Sequence, residues 1–147
     1  MNEPRFCVAQ FADDVRQEVR GKFSLIGCYG EELICDRLPA LLPRLCAHVR
    51  AVTPRLRPFE RLVFRARLNG ELLGEIEISE AQLRDAVVVA ERVPELERIS
   101  VNAVMAFSPL SVSEAGLLVV EAETEEGVLA GSLLKLRSAE GGTEHAA

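Results

Sequence analysis

The strongest constraint in this sequence is a pair of stretches in which apolar and charged residues alternate on both sides of a glycine-containing turn. In residues 61–78, Leu62, Phe64, Ala66 and Leu68 alternate with Arg and Val; then Leu72, Gly74, Ile76 and Ile78 alternate with Glu71, Leu73, Glu75 and Glu77. Period two sends successive side chains to opposite faces of a strand, so each run reads as half of an antiparallel hairpin. For both apolar sets to share one face, the link between them must hold an odd number of residues. That excludes a two-residue Asn69-Gly70 turn and predicts the three-residue loop Leu68-Asn69-Gly70, with Gly70 left-handed after a type I turn. Arg67 should then face Glu71, and Phe64 should cover Gly74.

The same grammar returns in residues 116–137. Leu118, Val120 and Ala122 should face Val128, Ala130, Ser132 and Leu134, which again requires an odd loop, Glu125-Glu126-Gly127. The opposite face is mixed: Leu117, Val119, Leu129 and Leu133 stand among Glu121, Glu123 and Lys135. A contiguous apolar set of this kind is uncommon on the surface of a monomer, so these four residues are a candidate interface.

Three further strands are predicted. Residues 6–11 and 23–29 flank the charged stretch 13–22, read as a surface connection between antiparallel neighbours, and 46–52 forms the third. Residues 31–45 are apolar but interrupted by Pro39 and Pro43, which predicts an irregular cover over an edge or face. Ser79 can cap a helix, with Gln82 closing a capping box and Ile78 stapling to Leu83. The three valines at 87–89 favour a strand, so one helical turn followed by a strand is expected over 79–98. Residues 99–107 read as a strand and 108–115 as a turn-rich connector. The tail, 139–147, is small and polar and is expected to be disordered.

The segments D-D-V-R at 13–16 and G-K-F-S-L-I-G-C-Y-G at 21–30, with G-x-L-x-V-E-A from Gly116, together resemble a family of bacterial proteins of unknown function that are expected to be small β-sandwiches. The resemblance implies a fold and brings no catalytic residue with it. The pattern of the residues leads to the same class. Eight or nine short strands separated by turn signals describe an all-β antiparallel sandwich with at most one short helix, in a single domain over 1–138.

Composition narrows the function. A chain of 147 residues buries roughly 68–70% of its unfolded surface and needs no disulfide staples. A net charge of −6 argues against nucleic acid as a partner. No basic-then-apolar segment opens the sequence, and no apolar run approaches the ~20 residues that span a bilayer, so a cytoplasmic protein without membrane contact is expected. The four cysteines, at 7, 28, 35 and 46, form no C-x-x-C pair, and Cys7 and Cys28 are expected to be buried free thiols.

Charge is segregated along the chain: residues 44–67 hold seven Arg and one Glu, whereas 71–97 hold eight acids and two Arg. Cross-strand pairing inside the hairpin accounts for much of this. If strands alternate strictly up and down, Glu31, Glu32, Glu95, Glu97, Glu125 and Glu126 form an acidic pole, with Arg55, Arg57, Asp13 and Asp14 at the other end. Such a pole lacks the apposed Asp loops of a calcium site. Arg55 and Arg57 are the candidate anion-binding residues. His48 stands without ligand-like spacing and is assigned no chemistry. Glu75 and Glu77 share a strand face, but the arginines opposite predict ion pairing rather than acid–base work. With no nucleophile, metal or phosphate-loop motif, no cofactor and no enzymatic activity are expected. The expected function is a cytoplasmic, non-catalytic module that acts through contacts with a protein partner or by self-association as a homo-oligomer. The alternative is a small-ligand, anion or calcium-binding domain that uses its strand-end loops.

Overall fold

In a computed structural model, described for residues 4–139, period-two burial generates two sheets whose apolar faces meet. In chain order the elements are β1 (Phe6–Gln17), a 3-10 turn (Val19–Gly21), β2 (Phe23–Cys28), β3 (Glu32–Cys35), β4 (Ala40–Leu42), β5 (Leu45–Pro54), β6 (Leu62–Leu68) and β7 (Glu71–Glu77). There follow α1 (Glu80–Glu91), β8 (Arg98–Phe107), β9 (Leu110–Val112), β10 (Gly116–Thr124) and β11 (Gly127–Ser138). One sheet has the order β2-β1-β5-β8 and the other β3-β11-β10-β6-β7, while β4 and β9 form a separate pair. All the pairings are antiparallel except that of β3 with β11. The protein is thus a sandwich-like all-β fold with one α-helix among the described residues, as the alternation predicts.

The core is the product of that alternation. Ala47, Val49 and Ala51 of β5 point inward beside Cys7, Phe11, Val101 and Met105. They meet Phe64, Leu118, Val120, Ala122, Leu134 and Leu136 from the five-stranded sheet, all fully buried. Phe64 alone contributes about 1.5–3 kcal/mol of transfer free energy.

Both hairpins depart from the odd-loop expectation, and both do so in the same way. Asn69 and Gly70 form a two-residue turn with φ of 52° and 85°, the doubly left-handed geometry that matches the strand twist. The register runs Leu68↔Glu71 and Arg67↔Leu72, then shifts so that Ala66 faces Gly74 and Phe64 faces Ile76. Leu73 is the extra residue of a bulge. In the second hairpin Thr124 pairs with Gly127 across Glu125-Glu126, and the register shifts between Val119 and Glu121. The parity that the shared apolar face demands is therefore restored within the strand rather than in the loop. Arg67 faces Leu72 and not Glu71. At the second bulge a side chain on Gly131 would lie 2.4 Å from the Val120 carbonyl oxygen, so glycine is required by close approach.

Residues 79–98 are also corrected. The capping box forms as expected, with Ser79 Oγ accepting from the Gln82 amide and the Gln82 side chain accepting from the Ser79 amide. The helix then continues through the valines to Glu91. Each valine costs roughly half a kcal/mol relative to alanine. Three things offset this: burial of Leu83 and Ala90, the cap, and the Arg55 guanidinium, which donates to the carbonyls of Ala90 at 2.6 Å and Val93 at 2.9 Å. Val88 and Val89 face solvent.

Three smaller corrections follow. The charged stretch from Asp13 is not all connection, because β1 runs on to Gln17 and pairs with β2. Phe23 reaches back to place its ring 4.7 Å from that of His48, so the β1–β2 ribbon folds over the outer side of the four-stranded sheet. The Asp13–Gly27 step is missing from this register, and Gly27 takes φ +69° there. The supposed irregular cover, 31–45, contains β3 and β4, and the 108–115 connector contains β9. Beyond residue 138, Ala139 donates its amide to the Cys35 carbonyl at 2.8 Å; the rest of the expected tail lies outside the described residues.

Candidate functional site

The outer face of the five-stranded sheet divides into two territories. On one side Arg61, just before β6, and Arg65 and Arg67 of β6 stand between glutamates of β7 and β10. Arg65 pairs with Glu75 at 2.8 Å and Glu123 at 2.6 Å, Arg61 with Glu123 at 3.0 Å and Glu77 at 3.8 Å, and Arg67 with Glu121 at 3.1 Å. The arginine hydrogen bonds hold Glu123 below its usual carboxylate range. Val63, on the same side, is shielded by these long charged chains and is 3% exposed. Glu75 and Glu77 are thus ion-paired, as the arginines opposite predicted.

On the other side lie Leu72, Leu117 and Leu133, with 50%, 40% and 52% of their surface open, and Val119 lies partly covered between them. Val119 faces Leu133 on one strand neighbour and Arg67 on the other. Three of the four residues expected to share this face do so. Leu129 does not: the bulge turns it inward against the core and turns Val128 outward. Sequence alternation alone could not place it, because the extra residue lies between it and Leu133.

Arg55 and Arg57 are not an open anion site. Arg55 caps α1, as described above, and Arg57 Nη1 lies 2.5 Å from Glu126 Oε1. That contact also dissolves the acidic pole, since Arg57 and Glu126 share one end of the molecule while Glu32 faces Lys135 at the other end of β11. Asp14 is held by Arg44 at 2.9 Å, and Asp13 accepts from the Tyr29 hydroxyl at 2.5 Å. Burial first, and the Asp13 contact second, push that hydroxyl up to about 12.

The unforeseen feature at this end is Arg5. Its side chain is 2% exposed and donates to Thr53 Oγ1 at 2.9 Å and to the carbonyls of Arg57 and Pro58 at 3.0 and 3.2 Å, with Glu125 at 2.6 Å. Its guanidinium sits 4.6 Å above the Phe59 ring. Burial alone would raise the pKa of Glu125, but the Arg5 contact and the amides of Glu60 and Arg61 outweigh it and hold the carboxylate below its ordinary range. Arg5 bonds inward through Nε and Nη2, while Nη1 stands 3.6 Å from Glu126, which makes it a structural clamp.

The cysteines are all free, but only three are buried: Cys7, Cys35 and Cys46. Cys28 is exposed on β2, contrary to expectation. Burial pushes the Cys7 thiol up to about 11, so it is inert at neutral pH.

The outer side of the four-stranded sheet holds a second concavity that no sequence motif marks. His48, Arg50, Gln10 and Asn102 come together there from three strands, with Phe23 packed on His48. Burial first, and the neighbouring Arg50 charge second, push the His48 imidazole below its ordinary value. Among the described residues no group of three or more His, Cys, Asp or Glu side chains could hold a metal ion, and no helix is long and apolar enough to cross a membrane.

No family model and no curated protein matches the chain. Among solved structures it is similar to a superoxide reductase (neelaredoxin) from Ignicoccus hospitalis, at 12% identity over 75% of each chain and a TM-score of 0.35. A likeness that remote bears on neither chemistry nor ligand.

Proposed function

We propose that this protein is a non-catalytic β-sandwich module of the cytoplasm that works through protein contacts, and that the outer face of its five-stranded sheet receives a second copy of the same chain. What carries this is the charge balance around an open apolar patch. The chain as a whole is at −6, yet this face presents Arg61, Arg65, Arg67, Lys135 and Arg137 against Glu32, Glu75, Glu77, Glu121 and Glu123. Five cations against five anions leave no net repulsion where Leu72, Leu117 and Leu133 of two copies would meet. A two-fold axis brings the same patch of each copy together, so a neutral, partly apolar face suits its own partner.

The dimensions agree. Four strand spacings give a width of about 19 Å, and the nine residues of β10 a length of about 30 Å, a footprint of about 570 Å² per copy, so two copies together pass the roughly 1,000 Å² that a biological interface needs. The pairing of Glu75 and Glu77 with arginines supports a contact role over acid–base chemistry. Four free thiols suit a reducing compartment.

Light scattering at micromolar concentration, with and without Leu117→Glu and Leu133→Glu, tests the assembly. The expected result is a dimer that the two substitutions convert to monomer without loss of folded signal. A monomer at every concentration overturns it.

A further inference from the structure

A cavity of about 360 Å³ opens on the outer side of the four-stranded sheet, away from the face assigned above, and is lined by Val8, Ala9, Gln10, His48, Arg50 and Asn102. The strand register fixes its floor. Val8, Arg50 and Asn102 lie side by side across β1, β5 and β8, and Gln10, His48 and Val104 form the next row on the same face. Phe23 of the β1–β2 ribbon packs on His48, and α1 lies beyond Asn102, where Asp85 and Val89 line an adjoining hollow.

The floor combines exposed, solvent-facing donors with one buried orphan, and Arg50 is open where many of the chain's arginines are engaged. Arg5, Arg44, Arg57, Arg61, Arg65, Arg67 and Arg137 are ion-paired, and Arg55 caps the helix. Among the described residues Arg50 has no hydrogen-bond or ion-pair partner, and neither has the Asn102 amide. His48 Nε2 is buried at the wall with no partner, an orphan of the kind that a ligand or an ordered water resolves. Gln10 uses its amide nitrogen on the carbonyls of Phe11 and Tyr29, so the free donors are Arg50, Asn102 and His48.

We infer that this trough is a binding site for a small organic monocarboxylate. The planar fork of Arg50 matches a carboxylate in two parallel hydrogen bonds, and Asn102, its direct cross-strand neighbour, supplies a third donor. The charge count selects the class. Arg50 is the only Arg or Lys in the lining, so a ligand of charge −1 is neutralised, whereas a phosphate monoester at about −1.5 to −2 is not. Val8, 42% exposed in the same row as Arg50, offers an apolar surface to a short carbon chain attached to the carboxylate. Cavities of roughly 300–1,000 Å³ with few polar groups are the usual size for such ligands.

The test is a titration of the full chain with sodium butyrate, and separately with inorganic phosphate at matched ionic strength, followed by amide and side-chain NMR shifts. Butyrate should saturate shifts at Val8, His48, Arg50 and Asn102. Arg50→Gln, an exposed change that leaves the core untouched, should weaken binding at least about tenfold, while Arg37→Gln, exposed elsewhere, should leave it unchanged. Saturable shifts from phosphate but not butyrate would overturn the ligand class. Absence of saturable shifts from either, or binding that Arg50→Gln leaves intact, would overturn the site.

Discussion

Arg5 Nη2 and Glu125 Oε2 stand 2.6 Å apart at the end of the sandwich where Thr53 and the 125–126 turn converge, with the arginine almost wholly enclosed. A pair this buried is worth little against an apolar replacement but a great deal against loss of one member. Glu125→Gln should therefore cost about 2 kcal/mol and Arg5→Ala about 3–5 kcal/mol in chemical denaturation. The folded pKa of Glu125 lies below the ordinary 4.5, so its stabilisation is present above that value and is lost as pH falls through the folded one. Glu125→Gln should flatten the acid limb of the stability curve; an unchanged limb would show that the contact does not matter.

Two glycines of the five-stranded sheet, in β11 and β7, should respond with opposite sign. Alanine at Gly131 would set a methyl group 2.4 Å from the Val120 carbonyl and 3.2 Å from Cys7 Sγ, and should destabilise by about 1–3 kcal/mol. Alanine at Gly74 would meet Phe107 at 3.5 Å, an ordinary contact, and should gain up to about 1 kcal/mol from reduced chain entropy. Thermal melts of the two variants decide it.

The Asn69-Gly70 turn makes a prediction of its own. Asn69 holds φ at 52° and its Oδ1 accepts from the Leu117 amide at 3.0 Å. Asn69→Ala loses both the conformational tolerance and the bond and should cost about 1–2 kcal/mol, whereas Asn69→Gly keeps the turn and should stay within about 1 kcal/mol of the parent. Equal losses in urea titrations would mean that the hydrogen bond, and not the backbone, sets the turn.

His48 gives the protein a mild acid sensitivity. Its folded pKa lies below the ordinary 6.5, so the neutral ring's contribution is complete above 6.5 and declines as pH falls through the folded value. Between pH 7 and about pH 5 the parent should lose more stability than His48→Gln. Parallel losses would place the burden on other groups.

What the residues disclose on their own follows from which signals are local. The alternation in 61–78 and 116–137 specifies strands, and the shared inward face of Phe64, Leu118, Val120 and Leu134 follows from it. Where the odd residue goes is not local. A bulge at Leu73 leaves no mark in residue type, while Asn69-Gly70 is itself the strongest hairpin signal of the two-residue kind. The capping box of Ser79 and Gln82 is legible, but the helix survives its valines through contacts from Arg55 and burial of Ala90, which only the fold supplies. The trough was illegible for the same reason: Arg50 and Asn102 are neighbours across two strands far apart in the chain, and nothing in either strand names the other.

The paired bulges have a mechanical consequence. Each separates a hairpin's tip from its body, so a residue gained or lost between Ala66 and Gly74, or between Val120 and Ala130, can be absorbed there while the interior keeps its alignment. Natural variation in length should collect at these two tips, which act as expansion joints for the sandwich.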